Sequence, residues 1–456
     1  MIAAVALLAA LFPGSATAAQ PVPGVVPVAR ATEGTEVALS GTQLLMGRSA
    51  RRGVRLLSAP ADGGAARTLF SRAAPGRRRL LVMNDLDASP ERVVFSLVAF
   101  NPATEGIVGS SVWAGPPGGP FAPLVRRRGG AWIPVYVQAS GTDVAVTENR
   151  PNGDVARHSV FPLAGGPVTL RIPPKIQHVE LAGSLVAFVE GERRLLVRDW
   201  TSGVDRMRHR AGAEVAGFDL SADGRVLLHL PRKEGLELLD ASGAVTRVGT
   251  GGMVAADHVR LAGGHALLRL GAYVDADSHV AVIDLATGRR RRLSPPSLDL
   301  GSEEAPLASD GNLVAWTANG CAFAAPVTAP ASRIVPPGPC PRAEIYFEDD
   351  QPERLQGRTA RVRLRCVTAP GPGCRGTIRL ELERPLGKVR YLIPAGRRET
   401  VRIRLTDRGL AALEREYRLP PPGRSAFASV RVTLAGGVNP RSVTPHHGIT
   451  LRPAGP

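Results

Sequence analysis

The sequence predicts an all-β protein, and three observations predict it. Glycine (51 residues) and proline (40) are abundant, and the apolar segments between them are short, which favours strands closed by turns over long helices. A hydrophobic unit recurs through the first two thirds of the chain at a spacing of ~40–50 residues. In the last third, apolar and charged residues alternate, as strands with one buried face require. The 456 residues are 44% hydrophobic and 21% charged. That composition excludes global disorder, and the length exceeds the ~250–300 residues at which one core stops growing, so two folded units are expected.

Residues 1–19 read as a signal peptide. Positions 2–12 are continuously apolar, Pro13 and Gly14 follow, and Ala16 and Ala18 form a small-residue site cleaved after Ala18 or Ala19. No basic residue precedes Arg30, a departure from the usual leader that a start codon placed too far downstream explains. Residues 20–35 read as a Pro-rich linker. No later stretch reaches the ~18 apolar residues a membrane span needs, and no cysteine follows the cleavage region to carry a lipid. The expectation is a secreted, extracytoplasmic protein without a transmembrane anchor.

The repeated unit opens with an apolar residue, a small-Gly or Asp-Gly turn and a hydrophobic strand. Copies begin at Leu39, Leu181, Leu220, Leu261 and Leu307, with weaker ones at Ala88 and Ala139. After several openings a second strand runs into an Asp and a Gly turn, at Asp199 to Gly203, Asp240 to Gly243 and Asp284 to Gly288. These aspartates are turn formers, since Asp bonds its own backbone and Gly supplies positive φ. The spacing is that of a four-stranded propeller blade. Residues 36–328 are therefore expected to form a β-propeller of about seven blades, with six or eight compatible. The Ser-x-Asp-Gly of Ser221 to Gly224 and the Asp-x-x-x-Gly turns resemble those of TolB-like and WD-repeat-like bacterial propellers. The TolB family's N-terminal α/β domain has no counterpart here, so a place in its envelope complex is not implied.

Residues 329–341, rich in Ala, Pro and Gly, read as a second linker, and 342–456 as a small β-sandwich with one short helix. Ala360, Val362, Leu364 and Cys366 oppose Arg361, Arg363 and Arg365; Ile378, Leu380 and Leu382, then Val401, Ile403 and Leu405, then Ala428, Val430, Val432 and Leu434 repeat the pattern. Thr406-Asp407 reads as a helix cap. The stretch from Cys366 to Leu382 resembles the Ig-like or fibronectin-like modules of exported proteins in high-GC bacteria, a family without a settled activity. Cys321, Cys340, Cys366 and Cys374 are the four cysteines, and four thiols allow three pairings. An oxidising compartment favours structural disulfides. Cys366 with Cys374 is a natural staple across one turn, and Cys321 with Cys340 is the default remainder.

Chemistry is sparse. A prolyl-oligopeptidase-like hydrolase needs a G-x-S-x-G elbow, which is absent after Val327, and the S-x-D-x-G-x-T-W boxes of sialidases are absent too. His446 and His447 lack partner ligands, Asp275 with Asp277 and Asp349 with Asp350 offer too few oxygens for calcium, and His209, His229, His258, His265 and His279 form no recurrent set. No cofactor or metal is expected. Trp113, Trp132, Trp200 and Trp316 read as blade packing ahead of a glycan platform.

The formal charge of +17 comes almost wholly from arginine, as the codons of a GC-rich genome favour. The runs at Arg77 to Arg79, Arg126 to Arg128 and Arg289 to Arg292 read as solvated turns, with attraction to anionic surface polymers the sharper alternative. Aromatics at 4% disfavour specific nucleic-acid binding. The leading reading is a secreted, non-catalytic binding or scaffold protein whose propeller meets a protein or glycan of the cell envelope. One alternative is an extracellular hydrolase or lyase using channel carboxylates, and another is a structural envelope protein retained by positive charge. Asp, Glu or His clustered in the channel would favour the enzyme, and an apolar or Arg-lined mouth would favour binding.

Overall fold

A computed structural model describes residues 25–31, 35–50, 53–76, 79–104, 106–176, 178–230, 235–249, 255–270, 279–294, 307–318, 321–330, 343–347, 353–355, 357–368, 373–382, 385–394, 397–417, 426–434 and 448–452. The leader, Cys340, Asp275, Asp277, Asp349, Asp350, His446 and His447 lie outside them.

Seven four-stranded antiparallel sheets form the blades of a β-propeller. Blades 1 to 6 span residues 36–73, 80–128, 133–169, 179–210, 217–249 and 255–292. Their first strands contact one another in sequence, and Leu307–Ser309 of blade 7 contacts Glu36–Ser40 of blade 1, which closes the ring. All seven repeat openings fall at one structural place, where the innermost strand turns into the second. In blade 1, Ser40 pairs with Gln43 across Gly41-Thr42, and in blade 3 Ser140 pairs with Asp143. Gly41 and Gly141 there hold φ of 54° and 57°, a conformation that glycine adopts without strain.

Each sheet buries both faces against its neighbours. Leu44, Met46 and Ala59 of blade 1 meet Ala315, Ala322 and Ala324 of blade 7, while Leu45 and Leu56 meet Leu81, Met83 and Phe95 of blade 2. Burial of each Leu, Met or Phe side chain among these contributes roughly 1.5–3 kcal/mol. Trp316, wholly buried and stacked on Phe323 at 5.5 Å, is blade core. The three turn aspartates also behave as read. The Oδ1 of Asp199 accepts from the Thr201 and Ser202 amides, that of Asp240 from Ser242 and Ala244, and that of Asp284 from Ala286 and Thr287, at 2.8 to 3.1 Å.

Two expectations need correction. Val26–Arg30, inside the stretch read as the 20–35 linker, is the fourth strand of blade 7 and pairs antiparallel with Cys321–Pro326. Proline hid it: Pro27 sits on the outermost strand, where a missing N–H costs no ladder bond, and Val28 and Ala29 are buried beside it. Two of the arginine runs are not turns either; Arg77 and Arg78 of the third lie outside the described residues. Arg126 to Arg128 end the outermost strand of blade 2, and Arg290–Arg292 is the outermost strand of blade 6. Charge on these two outer strands blunts edge-to-edge pairing.

In the C-terminal region, Ala343–Phe347, Thr359–Thr368 and Arg398–Arg404 form one sheet, and five further strands form another. Residues of both contribute to one core, including Val362, Leu364, Ile403, Ile378 and Leu380. The helix α1 (Asp407–Tyr417) adds Leu413 to it and is capped by Thr406, whose Oγ1 accepts from the Gly409 amide at 3.0 Å. Cys366 and Cys374 are bonded, with Cα atoms 5.6 Å apart, and Cys321 is also in a disulfide. Among the described residues no helix is long and apolar enough to cross a membrane.

Candidate functional site

The innermost strands face the axis of the ring, and their pairing registers define one equivalent position per blade, two or three residues before the turn. Around the ring it holds Ala38, Asp87, Gln138, Glu180, Asp219, Arg260 and Ala308. Five consecutive blades thus contribute polar or charged groups and two contribute alanine. Two residues earlier stand Asp85, Tyr136 and His178.

These groups stitch blade to blade. The Oδ2 of Asp85 accepts from the Val137 amide at 2.6 Å, and that of Asp87 from Ala139 at 2.9 Å. Gln138 Oε1 accepts from Leu181 at 2.8 Å, and Asp219 Oδ2 from Leu261 at 2.5 Å. In each case a side chain of one blade satisfies an inner-edge amide of the next, a donor that no ladder partner reaches. At the turns, Ser40 donates to the Ser89 carbonyl, Ser89 to that of Gly141, and the Gly183 amide donates to Ser140.

At the centre, Arg260 of blade 6 donates to Glu180 of blade 4 at 2.9 Å and lies 3.6 Å from Asp219. Gln138 and His178 also donate to Glu180, the latter at 2.7 Å. Burial works against ionising Glu180, but Arg260 and His178 outweigh it and hold the carboxyl down to about 2. Burial also opposes the Arg260 cation, and Glu180, Asp219 and Asp87 more than offset it, so its pKa rises. Asp85 and Asp219 lack enough compensation: burial pushes each up to about 7, and Asp87 to about 6. Tyr136, 46% exposed, stacks on His178 at 5.7 Å, and His178 leans on Phe218 at 4.9 Å. That aromatic row stands beside the carboxylates.

None of these residues was singled out by sequence reasoning. The signal was present, since Asp87, Gln138, Glu180, Asp219 and Arg260 each immediately precede a repeat opening. The residues that were weighed are not assembled into a site. His209 pairs with Glu237 at 3.3 Å and His265 lies 4.0 Å from Asp284, while His229 and His279 are buried. Trp113 and Trp132 are each faced by two arginines, and Trp200 donates to the Gly183 carbonyl. No group of three potential metal ligands forms among the described residues.

No protein-family model matches the chain, and no curated protein matches it. Many solved structures do. Virginiamycin B lyase from Staphylococcus aureus aligns at TM-score 0.44 and 12% identity over 66% of this chain and 97% of that one. YCF48 bound to D1 peptide aligns at TM-score 0.44 and 9% identity, over 66% and 94%. An acylaminoacyl peptidase aligns at TM-score 0.43 and 11% identity, over 59% of this chain and 45% of its own. At these scores and identities the likeness carries no activity with it.

Proposed function

We propose that this is an exported, non-catalytic binding or scaffold protein whose propeller engages a protein or glycan of the cell envelope through the axial mouth at Tyr136 and His178. The observation that supports it is the employment of the channel carboxylates. Their clustering is the arrangement that would favour an enzyme, yet each already accepts from at least two protein donors. Asp85 takes the Val137 and Leu86 amides, Asp87 those of Ala139 and Ala88, Asp219 those of Leu261 and Leu220, and Glu180 takes Arg260, His178 and Gln138. A general base needs a lone pair directed at substrate, and at least two of the roughly four acceptor sites on each carboxylate are directed at the scaffold. Tyr136 and His178, half-exposed and backed by the buried Phe218, offer contact area of the kind that anchors partners.

Export is supported by the leader-like residues 1–19 and by the Cys366–Cys374 disulfide. The C-terminal region, read as an Ig-like module, serves as spacer or second contact surface, and Cys321 pairs with Cys340. The test is capture of envelope components on the mature protein, followed by binding of the purified component to wild type and to Tyr136→Ala. Loss of at least tenfold in affinity supports the mouth as the contact. Unchanged affinity overturns it.

A second reading has one observation of its own. The side chain of His178 is 42% exposed and lies 2.7 Å from Glu180, an orientation that suits a proton-transferring imidazole in a channel hydrolase or lyase. Turnover of an envelope glycan that disappears in His178→Ala would replace the binding reading with this one.

A further inference from the structure

We propose that the outer rim at the seam of blades 1 and 2 is a docking strip for a linear polyanion bearing phosphate or carboxylate groups. The strip lies apart from the axial channel, and the inference does not depend on what the channel does. Two guanidinium groups from different blades converge on one indole: Arg72 of blade 1 lies 5.0 Å and Arg126 of blade 2 lies 5.9 Å from the centre of the Trp113 ring. The ring is itself fixed, its Nε1 donating to Ser111 at 3.0 Å and its body packed on Phe70 at 5.2 Å. Like charges drawn to one ring repel each other, and a bound anion relieves that repulsion.

Arg128 extends the strip. It shares the face of Arg126 on the same strand, ~7 Å further along at strand spacing, and pairs opposite Gly109, which has no side chain to cover it. Arg72, Arg126 and Arg128 are all exposed, and among the described residues none of the three forms an ion pair with a carboxylate.

The contrast with Arg127 is the decisive point. That residue lies on the opposite face of the strand and is consumed by structure, donating to Glu148 at 2.8 Å, where Arg157 also pairs at 2.8 Å. One face of the arginine run is therefore neutralised within the fold and the other is left for solvent or a ligand. A guanidinium laid on an aromatic face keeps its planar N–H edge free, is weakly hydrated, and forks to phosphate or carboxylate oxygens. Two such groups on the outermost strands of adjacent blades, with the exposed Arg128 beside them, suit a flexible chain of repeated negative charges.

The test uses the mature full-length chain with fluorescently labelled polyphosphate and, separately, polygalacturonate. The triple variant Arg72→Gln/Arg126→Gln/Arg128→Gln is compared with Arg193→Gln/Arg210→Gln/Arg289→Gln, which removes the same charge from exposed positions elsewhere. Wild type should bind at least one polymer at low salt and weaken about 20-fold between 50 and 200 mM salt, the slope of roughly three charge contacts. The rim variant should lose about tenfold or more at low salt, and the control about twofold or less. Arg128→Glu alone, outside the Trp113 contact, should reproduce much of the loss, so a folding defect at the indole does not decide the outcome. Tighter binding of polyphosphate assigns the strip to phosphate, and of polygalacturonate to carboxylate. Binding of neither polymer, or equal losses in the two triple variants, overturns the proposal.

Discussion

Replacing Arg260 by Met should destabilise the propeller far more at alkaline than at mildly acidic pH. Arg260 bonds Glu180 at 2.9 Å and stands 3.6 Å from Asp219. Removing one partner of a buried pair costs about 3–5 kcal/mol. The Arg260 side chain is 30% exposed, so screening places the expected loss near the low end, about 3 kcal/mol. For a unit of this size that lowers Tm by roughly 6–12 °C. Without the cation, burial lifts the folded-state pKa of Glu180 above its unfolded value of ~4.3. A group so raised contributes stability below the unfolded pKa and loses it as pH rises through the folded pKa, so the deficit should shrink at pH 5 and be full at pH 8. Glu180→Gln in the same chain should recover most of the loss. Thermal and urea unfolding at the two pH values measure it. A deficit below about 1 kcal/mol at pH 8, or one of the same size at both pH values, would refute the view that the channel is a low-dielectric, charge-balanced girdle.

Wild-type stability should itself rise on mild acidification. The folded-state values of Asp85 and Asp219 stand near 7, above the unfolded ~3.9, so their contribution is lost as pH climbs through 7. Between pH 8.5 and 5.5 the gain, discounted for solvent reaching the channel, is about 2 kcal/mol. His158, whose pKa burial lowers to about 4, works in the opposite sense as pH falls through its unfolded ~6.5. Calorimetry should therefore compare wild type with Asp85→Asn and Asp219→Asn, each of which should lose part of the gain; the same profile in all three would exclude the shift. Truncation separates linker from blade: deletion through residue 24 should leave Tm unchanged, whereas deletion through Arg30 strips the last strand of blade 7 and uncovers its edge. The longer deletion should lower Tm by about 10 °C or more or yield aggregates on size-exclusion chromatography. An unaltered Tm would mean that three strands suffice for blade 7.

The architecture was legible because it is local. Turn glycines, Asx turns and two-sided apolar strands repeat at blade spacing, and each is a property of a few adjacent residues. The axial girdle was less legible because its members, such as Glu180 and Arg260, come from blades two apart and look in isolation like ordinary strand polars. Val26–Arg30 was missed for a related reason: proline content describes a segment, but the partner that makes the segment a strand stands at Cys321–Pro326. Arg127 and Arg126 show the same limit, since a charge run does not reveal that its alternate members face different neighbours.

The pairing of Val26 with Ala324 has a temporal consequence. A chain made from its N-terminus must complete six blades, and nearly all of the seventh, before the segment that leads the whole assembly finds its mate roughly 300 residues behind it. Closing so large a loop is entropically slow. Until it happens, blade 7 presents the raw flank of Cys321–Pro326, and any other extended peptide arriving first competes for that seat.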